Sequence, residues 1–142
     1  MRASLFAISL ITLFSCKNTE TKTETPMTET SSKEEQITPF YIGTYTDGDS
    51  KGIYKLALQA DGSFTQPVLA AEVSNPSFIA FNKDKDIFLA VNENDPGTIE
   101  SFRVEGDKLL QINQSNTGGA HPCFVAVNDK DYVLVANYTG GN

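Results

Sequence analysis

The chain has 142 residues, of which 18 are Asp or Glu and 11 are Lys or Arg, so its formal net charge is −7. This acidic balance argues against a nucleic-acid-binding protein, because such proteins normally present a basic face. Two Cys and one His provide neither paired cysteines nor paired histidines for a usual zinc site, and we expect no metal and no cofactor. The length allows one domain and hardly two.

The first 16 residues are typical of a bacterial export signal that carries a lipid anchor. Arg2 precedes an apolar run over residues 5–14, which is too short to span a bilayer as a helix but has the length of a signal-peptide core. A small residue and then Cys16 follow, as in a lipobox, where the Cys is lipidated and becomes the new N-terminus. A plain signal peptide and a buried N-terminal strand are the alternatives. We expect residues 1–16 to place the protein in the cell envelope, on the periplasmic or outer-membrane side, with membrane contact only through Cys16.

Residues 17–39 are predicted to be a disordered linker between the anchor and the folded part. They include seven Thr, five Glu, three Lys and two Pro, and only Met27 and Ile37 are large apolar residues. Such a segment does not bury enough apolar surface to offset the entropy of ordering it.

Residues 40–142 contain an internal repeat of about 46 residues. The matched segments are 75–82 with 121–128, 87–92 with 132–137, and 52–58 with 98–104, and 40–45 is an earlier copy of the second pair. Turn-forming Asn, Asp, Pro and Gly separate these segments, and no stretch shows a sustained helical period.

Each repeat predicts four short antiparallel strands. Segments 77–82 and 87–92 are nearly continuous apolar runs, as in strands buried on both faces, whereas 99–104 alternates and 108–114 is weaker. Four strands in about 46 residues are typical of a propeller blade. A β-sandwich is the alternative, but it would not require a repeat. We therefore predict an all-β fold, a β-propeller, for residues 40–142.

The sequence provides about two and a third blades, which are fewer than the four to eight of closed propellers. The first unit lacks an innermost strand and consists of segments 40–45, 52–58 and 64–72. The second unit, 77–114, is complete, and the third has two strands, 123–128 and 132–137. We therefore expect the chain to be the N-terminal part of a longer protein.

Several short motifs, in this order, resemble the lactonase family of seven-bladed β-propellers, of the bacterial 6-phosphogluconolactonase type related to carboxy-muconate lactonizing enzyme. They are YIGTYT at 41–46, GIY at 52–54, NPSF at 75–78, AVNE at 90–93, GAHPC at 119–123 and ANYTGG at 136–141. The resemblance implies a seven-bladed propeller that opens or closes a lactone ring. The His- and Arg-containing segments usually credited with catalysis in this family have no counterpart in the sequence, so no catalytic role is carried over.

The loops of an up-and-down blade alternate between two faces. Short, charged turns form one face, here called the turn face: 82–86, 105–107 and 128–131. The longer loops form the other, here called the loop face: 45–52, 73–76, 92–97, 115–122 and 137–142. Because loops on a rigid scaffold commonly carry function, we predict that a ligand would bind at the loop face.

Two residues of the loop face are candidate catalytic groups. Glu93 is a candidate general base, and the alternative is a solvated loop acid. His121 is a candidate acid or base near neutral pH. It aligns with Asn75 in the repeat, so the position could require only a polar loop cap. Cys123 lies in an apolar strand, where a buried, inert thiol is expected.

Asn137, Tyr138 and Tyr45 are candidate substrate-binding residues. Asn137 repeats Asn92, with Tyr45 expected at the matching place. Such repetition favours the alternative, a recurring hydrogen bond from a strand end to the backbone. Tyr138 could pack on a sugar ring or cover the next blade.

The leading functional hypothesis is a lactone hydrolase of carbohydrate metabolism that opens a sugar δ-lactone by water attack. The partner would be a small sugar lactone, with no nucleic acid. Lys51 is the only cation of the loop face, since Lys83, Lys85 and Lys130 lie at the opposite turns. Recognition of a phosphate would therefore have to come from blades outside this sequence. The export signal favours an unphosphorylated sugar lactone, because the phosphorylated lactone is made and consumed in the cytosol, and the sequence leaves open whether the substrate carries a phosphate. The alternative is a non-enzymatic envelope propeller that binds a sugar or a protein on its loop face.

Overall fold

The computed structural model describes residues 37–142, and the regular structure among them consists of β-strands. In chain order the strands are β1 (Thr38–Gly43), β2 (Gly52–Leu58), β3 (Val68–Glu72), β4 (Ile79–Phe81), β5 (Ile87–Asn92), β6 (Thr98–Glu105), β7 (Lys108–Asn116), β8 (Pro122–Val127) and β9 (Val133–Asn137). The all-β prediction is confirmed. The predicted signal peptide, the lipid site at Cys16 and most of the predicted linker lie outside the described residues.

The strands form three antiparallel sheets, which follow the predicted blade pattern. The first blade contains β1-β2-β3, the second β4-β5-β6-β7 and the third β8-β9, each in sequence order. The second blade is therefore a complete four-stranded meander, with β4 innermost and β7 outermost. Within residues 37–142, no helix is long and apolar enough to cross a membrane.

The first strand begins two residues before the expected start of the folded part. Thr38 and Pro39, which we expected to end the linker, pair with Leu58 and Ala57. Pro39 fits this position because β1 lies at an edge of its sheet, where a proline is tolerated. The first blade thus includes two residues that composition alone assigned to the linker.

The strand β5 lies at the centre of the packing, because its two faces belong to two different apolar clusters. Phe88 and Ala90 pack in the cluster between the first and second blades. Leu89 and Val91 pack in the cluster between the second and third blades. This alternation confirms that segment 87–92 is buried on both faces, and it fixes the three blades side by side.

Phe88 anchors the first of these clusters. Its ring is fully buried and contacts the rings of Tyr41, Phe81 and Phe102, with centroid distances of 5.0, 5.0 and 6.3 Å. Edge-on and tilted ring contacts of this kind are favourable beyond the area they bury. They connect one strand of the first blade to three strands of the second.

Backbone hydrogen bonds connect the loops of the loop face, as the strand order predicts. The amide of Gly97 donates to the carbonyl oxygen of Gly119 (2.9 Å), and the amide of Thr117 donates to Gly97 (3.0 Å). The amide of His121 donates to Asn94 (2.9 Å). The prediction that the loops 92–97 and 115–122 lie on one face is therefore confirmed.

Candidate functional site

The site is built on a backbone bend that occurs twice, where the innermost strands of the second and third blades begin. Asn75 and His121 each precede a proline and have positive φ angles, 45° and 53°. The carbonyl oxygen of Asn75 accepts from the amide of Glu93 (3.0 Å), and that of His121 accepts from the amide of Tyr138 (2.9 Å). The sequence repeat is thus a repeat of backbone geometry, and it places Glu93 and Tyr138 at equivalent positions.

The expectation that Tyr45 occupies the place of Asn92 is wrong. The registers of β1 on β2 and of β5 on β6 make Thr44 the equivalent of Asn92. Tyr45 is therefore the equivalent of Glu93 and, in the third blade, of Tyr138. The physical reason is that hydrogen-bond pairing with the next strand determines the position, and similarity over a few residues does not specify that pairing.

Tyr45 and Glu93 contact each other across the boundary between the first two blades. The Tyr45 hydroxyl donates to Glu93 Oε2 at 2.8 Å. This hydrogen bond is the main reason that the pKa of Tyr45 is raised. Desolvation of the hydroxyl and the charge of the Glu93 carboxylate raise the pKa further, whereas the nearby Ser77 hydroxyl lowers it. The Tyr45 side chain is still 57% exposed, so the pair lies at a solvent-accessible edge of the loop face.

The side chain of Asn75 connects two neighbouring loops through three hydrogen bonds, to Thr46 and to Asn94. Its Oδ1 accepts from the amide and the hydroxyl of Thr46 (2.8 and 3.1 Å), and its Nδ2 donates to Asn94 Oδ1 (2.8 Å). His121 differs at the equivalent position, because its Nδ1 is buried and has no hydrogen-bond partner among the described residues. Position 121 therefore needs no side-chain contact of its own to keep the bend.

Ser77 is a residue of the site that the sequence analysis missed. It lies two residues after Asn75, and its Oγ is the second buried side-chain polar atom without a hydrogen-bond partner in residues 37–142. A serine in an apolar run resembles any small core residue, and the one sequence signal at this position is its alignment with Cys123 in the repeat. The expectation that Cys123 is buried is wrong, because the residue is only half-buried.

The repeated asparagines at the ends of β5 and β9 make the backbone contacts that repetition favoured. The Nδ2 of Asn92 donates to the carbonyl oxygen of Ser74 (3.0 Å), and that of Asn137 donates to Thr117 (3.1 Å). Asn137 Oδ1 also accepts from the Thr117 hydroxyl (2.7 Å). Asn92 is 1% exposed and Asn137 is 4% exposed, and each side-chain amide binds the loop that precedes an innermost strand. A substrate contact by Asn137 stays a prediction.

Tyr138 presents the most exposed aromatic ring of the candidate residues. Its side chain is 81% exposed, although its backbone is held by the hydrogen bond to His121. The structure therefore brings Tyr45 and Glu93 into contact, and it places His121 and Tyr138 together in the next blade. A substrate contact by Tyr138 or Tyr45 likewise stays a prediction.

The charge of the described loop face is negative. Its acidic side chains include Asp47, Asp49, Glu93 and Asp95, and Lys51 is its one cation among residues 37–142. Two lysines have carboxylate partners on the turn face: Lys55 of β2 with Asp107 (2.8 Å), and Lys83 with Asp129 (4.0 Å). The described part of the loop face thus offers a single lysine to a negatively charged group.

Comparison with known proteins identifies the family. A family model described as Lactonase, 7-bladed beta-propeller, matches residues 39–142. The 6-phosphogluconolactonase of Bacillus subtilis (strain 168) is 35% identical over 106 residues, which cover 71% of this chain and 30% of that protein.

Solved structures agree with the family match. The periplasmic gluconolactonase of Pseudomonas aeruginosa superposes with a TM-score of 0.70 at 34% identity, over 73% of this chain and 32% of that one. A protein from Lactobacillus plantarum superposes with a TM-score of 0.65 at 30% identity, over 72% of this chain and 31% of that one. The chain spans about 30% of the length of these relatives. The predicted β-propeller fold is confirmed, and the chain belongs to the lactonase family of seven-bladed β-propellers.

Proposed function

We propose that the full-length protein is a hydrolase that opens an unphosphorylated sugar δ-lactone at its loop face. The observation that carries this proposal is the hydrogen bond between Tyr45 and Glu93 on the loop face. In the described part of the chain, Lys51 is the only cation of these loops. A phosphorylated substrate would need cations there. The relatives include a 6-phosphogluconolactonase and a periplasmic gluconolactonase, which supports lactone chemistry and leaves the phosphate open.

The reaction requires a base and hydrogen-bond donors. Water adds to the lactone carbonyl carbon while a base takes one of its protons, and donors stabilise the negative charge on the carbonyl oxygen. The bond between the carbonyl carbon and the ring oxygen then breaks, and the ring oxygen takes up a proton, which gives an aldonic acid. Glu93 suits the base, since the hydrogen bond from Tyr45 holds its carboxylate in place and its other oxygen, Oε1, has no side-chain hydrogen bond among the described residues.

Turnover measurements test the proposal. The full-length protein is expected to hydrolyse D-glucono-δ-lactone above the spontaneous rate and with a higher kcat/KM than its 6-phosphorylated form. Glu93→Gln keeps the size of the side chain and removes its basicity, so kcat should fall about 100-fold, as for loss of a general base. Lys83→Gln, on the turn face, is the control and should leave kcat unchanged. Preference for the phosphorylated lactone would contradict the proposed substrate, and no turnover of either lactone would favour the binding propeller.

The proposed substrate agrees with a proposed location in the cell envelope, anchored through Cys16. The apolar run at residues 5–14 and the small residue before Cys16 support this location. Expression in a bacterium supplied with a labelled fatty acid should give a labelled, membrane-bound protein, and Cys16→Ala should release it. An unlabelled product that stays entirely in the soluble fraction would refute the anchor.

A further inference from the structure

The start of each innermost strand provides an internal comparison between two blades. Asn75 and His121 have the same type of backbone bend, and each carbonyl oxygen accepts one equivalent amide. The Asn75 side chain makes three hydrogen bonds within the loops. The Nδ1 of His121 makes none with the described residues and is nevertheless buried. The backbone bend therefore does not explain why position 121 carries a histidine with a buried Nδ1.

Ser77 also has a buried polar atom that the bend does not explain; it lies two residues after Asn75 and just before β4. Its buried Oγ also has no partner among residues 37–142. Buried polar atoms normally have a hydrogen-bond partner, because leaving one unpaired destabilises the fold. Both atoms lie at the same end of the innermost strands of neighbouring blades, where a ligand that reached them would supply the missing partner.

A short chain of hydrogen bonds connects the backbones of Ser77 and His121 through Asn75 and Asn94, so both residues lie on the loop face at the boundary between the second and third blades. The amide of Ser77 donates to the carbonyl oxygen of Asn75 (2.8 Å), whose side chain donates to Asn94 Oδ1 (2.8 Å). The carbonyl oxygen of Asn94 accepts from the amide of His121 (2.9 Å). The carbonyl oxygen of Asn75 also accepts from the amide of Glu93 (3.0 Å), which places the Tyr45–Glu93 pair beside the same bend.

The chemistry of these groups selects the ligand. The Ser77 hydroxyl both donates and accepts, an imidazole nitrogen does either according to its tautomer, and the Glu93 carboxylate accepts. A sugar hydroxyl likewise both donates and accepts, whereas a phosphate needs cationic donors. We propose that Ser77 Oγ and His121 Nδ1 form a subsite that binds ring hydroxyl groups of the sugar lactone. This inference deepens the proposed function and rests on it for the identity of the sugar.

The subsite predicts a loss of affinity without a loss of fold. The probe is D-gluconolactam, a neutral amide analogue that resists hydrolysis, and its Kd for the full-length protein is measured by calorimetry. Ser77→Ala and His121→Asn should each raise Kd about tenfold, as expected for one lost hydrogen bond. The change at position 121 introduces the residue that the preceding blade uses at the same bend. KM should rise in parallel while kcat stays within about threefold, because the subsite binds and does not react.

Two controls separate binding from structure. Ser63→Ala makes the same change in the loop between β2 and β3, on the opposite side of the blades, and should leave Kd unchanged. Ser77→Cys introduces the residue that the third blade carries at this place, and it serves if the alanine variant folds poorly. The Tm of each subsite variant should not fall, because no hydrogen bond within the chain is lost. An unchanged Kd, or a lower Tm with an unchanged Kd, would overturn the subsite.

The outcomes also separate this inference from the proposed function. If the wild-type protein hydrolyses gluconolactone and both variants bind the lactam normally, the subsite is refuted and the hydrolase stands. If the wild-type protein binds the lactam through Ser77 and His121 but hydrolyses no lactone, the hydrolase is refuted and the subsite stands. If the wild-type protein does not bind the lactam, the subsite is refuted.

Discussion

Replacing Asn92 by Ala should destabilise the propeller more than the equivalent change one blade later. Asn92 lies at the end of β5, is 1% exposed, and makes three side-chain hydrogen bonds. Its Nδ2 donates to the carbonyl oxygen of Ser74 (3.0 Å) and to Glu100 Oε1 (2.8 Å). Its Oδ1 accepts from the Thr98 hydroxyl (3.0 Å). The side chain thus connects β5, β6 and the loop before β4.

The magnitude follows from these three contacts. Two bonds between neutral groups contribute about 1 kcal/mol each, and the bond to the Glu100 carboxylate about 1.5–3 kcal/mol. Glu100 is itself buried and would keep only the amides of Gln111 and Gln114. We therefore expect Asn92→Ala to lower the free energy of unfolding by about 4 kcal/mol.

Asn137→Ala is the matched comparison. Asn137 is also buried, but its main partners are the hydroxyl and the carbonyl oxygen of Thr117, at 2.7 and 3.1 Å, and no carboxylate is involved. Its loss should lower the free energy of unfolding by about 2 kcal/mol. Glu100→Gln isolates the charge, because it keeps the size of the side chain and turns one acceptor into a donor that faces other amide donors.

Urea unfolding of the full-length protein, followed by circular dichroism, measures the difference. The midpoint should fall in the order wild type, Asn137→Ala, Asn92→Ala, with an unchanged slope. If Asn92→Ala costs less than about 1 kcal/mol, or less than Asn137→Ala, then the buried network around Glu100 does not stabilise the blade as described.

Three further predictions use contacts at the blade boundaries. Because Glu93 raises the pKa of Tyr45, Glu93→Gln should lower that pKa toward 10.0, measured by the ultraviolet absorbance of tyrosinate. Lys55 lowers the pKa of Asp107, so their pair stabilises the fold above pH 3.8 and the contribution disappears as the pH falls through the lowered pKa. Lys55→Met should therefore lower Tm at neutral pH and not at about pH 2. Gly97→Ala should lower Tm, because the new Cβ would meet the ring of a proline and two oxygens at 2.8 and 3.0 Å.

The predictions for Gly97 and Lys55 each have a control in the chain. Gly48→Ala adds the same methyl group where nothing lies within 4 Å, and it should leave Tm unchanged. Lys83→Met removes an exposed lysine whose partner carboxylate is 4.0 Å away, and it should show no pH-dependent effect. A fall in Tm for Gly48→Ala equal to that for Gly97→Ala would contradict the close approach of the loops at Gly97. An unchanged Tyr45 pKa in Glu93→Gln would contradict the hydrogen bond between them.

The sequence predicts the packing of β5 well and the limits of the outer strands less well. A run that is apolar at every position, as at residues 87–92, requires an apolar neighbour on each face, and the structure provides two clusters. The strand β7 extends to Asn116, two residues beyond the predicted segment, because Asn116 pairs with Thr98 of β6. Backbone pairing continues through polar residues, which give no hydrophobic signal.

For the candidate site, the sequence likewise predicted what topology determines and did not predict what strand pairing and packing determine. Loop alternation within a blade was enough to predict that Glu93 and His121 share a face, since topology alone determines it. The sequence did not predict that Tyr45 binds Glu93, because the register of β1 depends on hydrogen bonds to β2. Ser77 was missed because burial of its hydroxyl without a partner is a property of three-dimensional packing.

Comparison of the two faces tests the central claim, that the loop face carries the lactone site. The measurement is kcat/KM for D-glucono-δ-lactone with the full-length protein. Glu93→Gln and His121→Asn should each lower kcat/KM at least about tenfold. Lys83→Gln and Lys85→Gln, on the turn face, should leave it unchanged. A larger loss from the turn-face variants than from the loop-face variants would contradict the account.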